Sequence, residues 1–120
     1  MKKTAWKNRI KKACIAANTY QPHYDNVIDA LANIMAIRDS ALDSYIQSGS
    51  VPVVEHTNKG GATNIVKNPA LVVVMDCDKQ ALAYWRDLGL TPMGMKRLGE
   101  KGIVKESEGG FAEVLARLGV

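Results

Sequence analysis

From Pro22 to Ser48 the apolar side chains Tyr24, Val27, Ile28, Leu31, Ile34, Met35, Ala41, Leu42, Tyr45 and Ile46 recur every three or four residues, with Arg38 in the same series. That spacing gathers them on one stripe of an α-helix and does not suit the two-residue alternation of a strand. At 3.6 residues per turn the stripe lasts roughly seven turns, where a globular helix usually has three or four. So long a stripe suits antiparallel packing against a second helix or against a neighbouring copy of the chain. Asp25 and Asp29 lie near the predicted start, where negative charge complements the helix dipole, and Ser48-Gly49-Ser50 stops the helix.

A partner helix is written downstream. Asn68 is a good N-cap and Pro69 is preorganised for the first helical position. Leu71, Val74, Met75, Leu82, Trp85 and Leu88 then form the expected apolar face, interrupted by Asp78. Gly89 supplies the left-handed residue that ends a helix, letting Leu90 fold back on Trp85. Thr91-Pro92 starts a short helix by the same cap-then-proline device, with Leu90 and Met95 as a hydrophobic staple, ending near Gly99.

Before the long helix, Ala5 to Asn18 reads as a short one, with Trp6, Ile10, Ala13, Cys14 and Ala17 on one face and Pro22 closing the break that follows. Between the two long helices, the runs 51–57 and 62–66 are short and β-prone. Asn58-Lys59-Gly60-Gly61 joins them with residues that tolerate positive φ, giving either a β-hairpin or a loop. Pro52 limits the first run to an edge role. The expected fold is therefore mainly α: a short N-terminal helix, a long antiparallel helical hairpin with a small β-hairpin or loop between its helices, and short C-terminal helices. Residues 1–21 form a basic arm, 22–99 the helical core and oligomerisation region, and 100–120 a tail. In the tail, Gly102, Gly109 and Gly110 precede a short helix expected over 111–118.

Charge is unevenly spread. Sixteen Lys and Arg against twelve Asp and Glu leave a net +4. Lys2, Lys3, Lys7, Arg9, Lys11 and Lys12 all fall in the first twelve residues, and no acid appears before Asp25. Such an end attracts phosphate backbones without reading sequence, and it equally serves as a solvated face. The first helix, its break and the second helix fit a helix-turn-helix or simply a short helix packed on a long one. No segment approaches the roughly 18–20 apolar residues of a membrane span. Ile15-Ala16-Ala17 is too short for the apolar core of a signal peptide, so the chain is expected to stay in the cytoplasm.

Motifs for chemistry are weak. Asp76 and Asp78 are two apart and point to different helical faces. Asp25 and Asp29 share a face but lack the third carboxylate of a two-metal nuclease. Cys14, Cys77, His23 and His56 lack the close pairs of zinc sites, and the two cysteines are expected to remain thiols. Lys59-Gly60-Gly61 is not a nucleotide-binding P-loop, and His56 beside Asn58 is only a fragment of a nuclease pattern. Neither a cofactor nor a metal nor a catalytic residue is expected.

Asn68-Pro69-Ala70-Leu71 followed by Gly89-Leu90-Thr91-Pro92 resembles the signature of phage terminase small subunits. Glu55-His56-Thr57-Asn58-Lys59-Gly60-Gly61 and Ala83-Tyr84-Trp85-Arg86-Asp87 resemble a subgroup of that family, so the likeness runs from about Asp25 to Leu98. Met93-Gly94-Met95-Lys96-Arg97-Leu98 departs from the small and Arg-containing residues usual there, and Gly94 is expected to weaken the short helix. The resemblance implies a non-enzymatic recognition subunit, working in the cytoplasm of the bacterial host. It would assemble into a homo-oligomeric ring, bind double-stranded viral DNA, and regulate a large subunit carrying ATPase and nuclease. On that reading Lys2, Lys3, Lys7, Arg9, Lys11, Lys12, Lys96 and Arg97 contact DNA. Leu31, Met35, Leu42, Leu71, Met75, Leu82 and Trp85 form the core and the interface between copies. The alternatives are a small dimeric DNA-binding regulator and a helical adaptor that touches no DNA.

Overall fold

The computed structural model describes residues 1–100. Four α-helices and one β-hairpin follow in the order α1 (Lys3–Ala16), α2 (Asp25–Gln47), β1 (Val53–Thr57), β2 (Thr63–Lys67), α3 (Pro69–Asp87) and α4 (Pro92–Glu100). A single 3-10 turn, Pro22–Tyr24, leads into α2, because Pro22 presets φ there and cannot continue a helix from before itself. The tail 101–120, including the helix expected over 111–118, lies outside the described residues.

Three helices end on the same backbone device. A left-handed residue follows the last turn: Asn18 at φ 59° after α1, Gly49 at 94° after α2 and Gly89 at 73° after α3. The amides beyond turn back on the orphan carbonyls of the last turn: Thr19 to Cys14, Ser50 to Tyr45 and Leu90 to Trp85, each at 2.9–3.1 Å. Asn serves after α1 because its short polar side chain tolerates the left-handed region better than most.

The start of α3 is fastened as the Asn-Pro pair predicts, with more besides. Asn68 Oδ1 accepts from the Ala70 amide at 3.0 Å, while its Nδ2 donates to Ser48 Oγ at 3.1 Å and to the Val51 carbonyl at 3.0 Å. One buried side chain therefore caps α3 and ties it to the end of α2. Ten residues further into the pair, Arg38 meets Asp78 at 2.7 Å, so α2 and α3 run antiparallel.

The core sits toward the other end of this pair. Ile10 and Cys14 of α1, Ile28, Leu31, Ala32 and Met35 of α2, and Ala81 and Leu88 from the end of α3 are buried together. Trp6, Tyr20, Tyr24, Tyr84, Trp85 and Leu90 pack around them. α1 runs back along α2: Met1 and Trp6 reach Asp39, while Tyr20 reaches Asp25. The first two helices thus lie side by side along their length, as core packing requires.

The buried face of α3 differs from the expected one. Val74, Cys77, Ala81 and Leu88 face inward, whereas Met75 (62% exposed) and Leu82 (51%) point to solvent. Small Cys77 and Ala81 let the α2 backbone come close, which bulkier side chains would prevent. Leu71, Met75, Leu82 and Trp85 form a second stripe on the flank, with Asp78 in its middle.

Gly94 also reads differently in three dimensions. It is buried, and a Cβ built there would lie 2.1 Å from the Arg86 carbonyl oxygen and 2.8 Å from its carbon. Gly94 costs α4 some intrinsic helicity, yet it is what allows α4 to lie against the end of α3. Thr91 Oγ1 caps the helix by accepting from the Gly94 amide at 3.0 Å. Leu98 is thereby buried over Gly89, whose own missing Cβ makes room for Leu98 and Thr19.

The segment between the long helices is a hairpin. β1 and β2 pair antiparallel, with Val53 opposite Lys67, Val54 opposite Val66, Glu55 opposite Ile65, His56 opposite Asn64 and Thr57 opposite Thr63. Asn58 builds the turn, its Oδ1 accepting from the amides of Gly60 and Ala62. The base is anchored where the Asn68 amide donates to the Pro52 carbonyl at 2.9 Å. Beyond that base both faces are open; only Val54 and Val66 are half-buried, and Ile65 is 75% exposed.

Candidate nucleic-acid interface

The structure divides the N-terminal cations into two groups. Because Ile10 and Cys14 turn inward, Lys3 and Lys7 fall beside α2 and both reach Asp29, at 3.1 and 3.5 Å. The hydrogen bond from Lys3 is the main reason that the Asp29 carboxyl sits below its ordinary pKa. Lys11 lies over the Tyr20 ring at 5.0 Å, and Arg9 over the Trp6 ring at 5.3 Å. Lys2, Arg9 and Lys12 are exposed and have no carboxylate partner among the described residues. They are the part of the basic arm best placed to meet a polyanion.

Asp39 anchors the arm. It accepts from the Met1 amine at 2.6 Å and from the Trp6 indole Nε1 at 2.7 Å, and Arg38 approaches at 3.3 Å. Partial burial pushes its pKa up, but the donors from Met1, Trp6 and Arg38 outweigh burial and hold it below the ordinary value. Met1, Lys2 and Lys3 thus border a shallow cleft with Asp39 and Asp43, toward the end of α2 that leads to the hairpin. The second cluster expected from the sequence, Lys96 and Arg97, lies exposed on α4 at the opposite end of the bundle, where Arg86 and Arg97 line a shallow cleft with Leu98.

The interface residues also part company. Leu31 and Met35 are core, Leu42 is half-buried, and Met75 and Leu82 are exposed beside half-buried Leu71 and Trp85. Leu31 and Met35 face within the chain and Trp85 packs on the core they form; Met75 and Leu82 are open to a neighbour.

Three of the four acids weighed as metal ligands are engaged elsewhere, and Asp76 is exposed on α3. Asp25 accepts from the Tyr20 hydroxyl at 2.9 Å, Asp29 binds two lysines, and Asp78 binds Arg38. Among the described residues no three His, Cys, Asp or Glu side chains come together as a metal site. Cys14 and Cys77 are buried free thiols, and burial pushes both pKa values up. No helix among the described residues is long and apolar enough to cross a membrane.

These features define a mainly helical chain with a basic N-terminal arm, a capped helical pair and an exposed apolar flank. The family model for the phage terminase small subunit matches residues 3–103, and the chain belongs to that family. No curated protein and no solved structure matches it.

Proposed function

We propose that this chain recognises duplex viral DNA as the oligomeric, non-catalytic partner of a packaging motor, in the cytoplasm of the infected bacterium. It regulates a large subunit that carries the ATPase and nuclease. Membership of the terminase small-subunit family supports the assignment. The observation that carries DNA binding is the exposed, carboxylate-free set Lys2, Arg9 and Lys12, on an arm with no acid before Asp25. The open flank of α3, with Met75 and Leu82 in solvent, supports association of copies into a ring through this face.

The test is a titration of duplex DNA at several salt concentrations. Each phosphate contact removed lowers the slope of log affinity against log salt by about 0.9, so changing Lys2, Arg9 and Lys12 to Gln should flatten it by roughly two to three. Changing Lys3 and Lys7 to Gln should do less to the slope, because both already hold Asp29. A wild-type chain that binds no duplex even at low salt would favour the adaptor reading. Mass in solution tests the ring: a stable dimer at high concentration would favour the dimeric regulator.

A further inference from the structure

Among the described residues, the hairpin is an exposed element that the basic arm and the helical flank leave without a role. Its strands are five residues each and mostly exposed, with Val54 and Val66 half-buried. A two-stranded hairpin is marginal in water by itself, so one that leaves both faces open is unusual unless the faces are used. Glu55 at the inner half of β1 is the ribbon's acid; from His56 through Met75 there is none, and Lys59 and Lys67 are the charges on that stretch. The outer half of the ribbon is polar: His56 and Asn64 stand opposite each other on one face, Thr57 and Thr63 on the other, and Lys59 is at the tip. All five are exposed.

The dimensions suit one ligand. Paired strands lie about 4.8 Å apart and five residues extend roughly 16 Å. A B-DNA major groove is about 12 Å wide and 8.5 Å deep and admits a two-stranded ribbon. The half beyond His56 fits that depth, leaving Val54 and Val66 at the mouth. Position agrees as well: the basic arm ends beside Asp39 and Asp43, and Asp43 is only about 6 Å along the axis from the end of α2, at 1.5 Å per residue. The start of the arm, Met1 to Lys3, therefore lies toward the hairpin end, while Arg9 and Lys12 follow along α1 toward the core.

We infer that the β1–β2 ribbon enters the major groove and that His56, Asn64 and Lys59 touch base edges, reading sequence where the arm only holds phosphate. The inference rests on the reading that this chain binds duplex DNA. Asn matches the donor–acceptor pair of adenine, Lys the acceptors of guanine, and His donates from a ring nitrogen. Asn58, Gly60 and Gly61 are turn-formers and contact no base.

The test uses the full chain and a pool of random-sequence duplexes, with retained DNA sequenced and affinity for a mixed-sequence duplex measured in parallel. Wild type should enrich a defined sequence, and methylating its guanines at N7 should interfere with binding. The double variant His56→Ala, Asn64→Ala should lose about five- to hundredfold in affinity for the enriched duplex while keeping its affinity for mixed sequence. Changing Lys2, Arg9 and Lys12 to Gln should instead weaken both duplexes by a similar factor and leave the enriched sequence unchanged. Unchanged far-UV circular dichroism shows that the exposed double variant still folds. If wild type binds DNA without enrichment, or the double variant enriches the same sequence equally well, this inference fails while DNA binding stands. If the double variant changes only the oligomer mass, the ribbon serves a second copy and the inference fails too. If wild type binds no duplex at all, both readings fail together.

Discussion

Replacing Gly94 by Ala separates two opposed effects of one methyl group. In an exposed helix interior, Ala is favoured over Gly by about 0.8–1.0 kcal/mol. At Gly94 the added carbon would meet the Arg86 carbonyl oxygen at 2.1 Å and its carbon at 2.8 Å, where real contacts stay beyond 3.0 Å. The obstacle is backbone, so no rotamer relieves it, and α4 must withdraw by about an ångström. Overpacking of this kind costs about 1–3 kcal/mol, and withdrawal loosens Leu98, only 7% exposed, from Gly89. Strain and lost burial together should exceed the helical gain and leave Gly94→Ala less stable by about 1–3 kcal/mol. Gly99 is the control: it lies in the same helix with open space around its Cβ position. There Ala should be neutral or stabilise by up to about 1 kcal/mol. The assay is urea unfolding followed by circular dichroism, at one fixed protomer concentration because association would shift the midpoint. For a chain of this size each kcal/mol moves Tm by about 4 °C. If Gly94→Ala equals or exceeds wild type in stability, the close seating of α4 on α3 is wrong.

Asn68→Ala removes the α3 cap and both ties to the end of α2, and should cost about 1–3 kcal/mol in urea unfolding. Asn68→Ser, which can still cap, should fall between it and wild type. The Arg38–Asp78 pair is half in water, Asp78 being 49% exposed, so Asp78→Ala should cost under about 1 kcal/mol, and less in high salt. Asp39 is held below its ordinary 3.8 in the folded chain, so the stability it provides is fully present above about pH 4. That stability is lost as pH falls through the lower folded value. An Asp39→Asn variant should show a weaker loss of stability on acidification, read by urea unfolding at stepped pH. Changing Met75 and Leu82 both to Glu should lower the mass of the oligomer in sedimentation without unfolding the chain.

Helix ends were the most legible part of this chain, because they depend on local backbone chemistry. Asn68-Pro69, Gly89 and Thr91-Pro92 act where their caps and φ preferences say they should. The face of α3 was less legible. Periodicity marks which residues are apolar, but α3 carries two apolar stripes, and only packing decides that Cys77 and Ala81 go inward while Met75 and Leu82 stay out. The arm shows the same limit: its cations are plain in sequence, but Lys3 and Lys7 find Asp29 only once α1 lies along α2. Gly94 looked like a loss of helicity because its use lies in Arg86, a residue of another helix. The hairpin was foreseen as one of two options, and Asn58 decided between them by collecting the turn's amides on its side chain.

The hairpin's isolation has a thermodynamic meaning. Most of its strand residues are exposed, and its base is fixed through Pro52 and Asn68. It can therefore open and close as a unit of its own, and amides of residues 53–67 should exchange far sooner than those around Ile28 or Leu31. Substitutions on its outer half leave the free energy of the helical body nearly untouched. Selection could therefore reshape that tip almost without regard to stability, a freedom the buried face of α3 does not share.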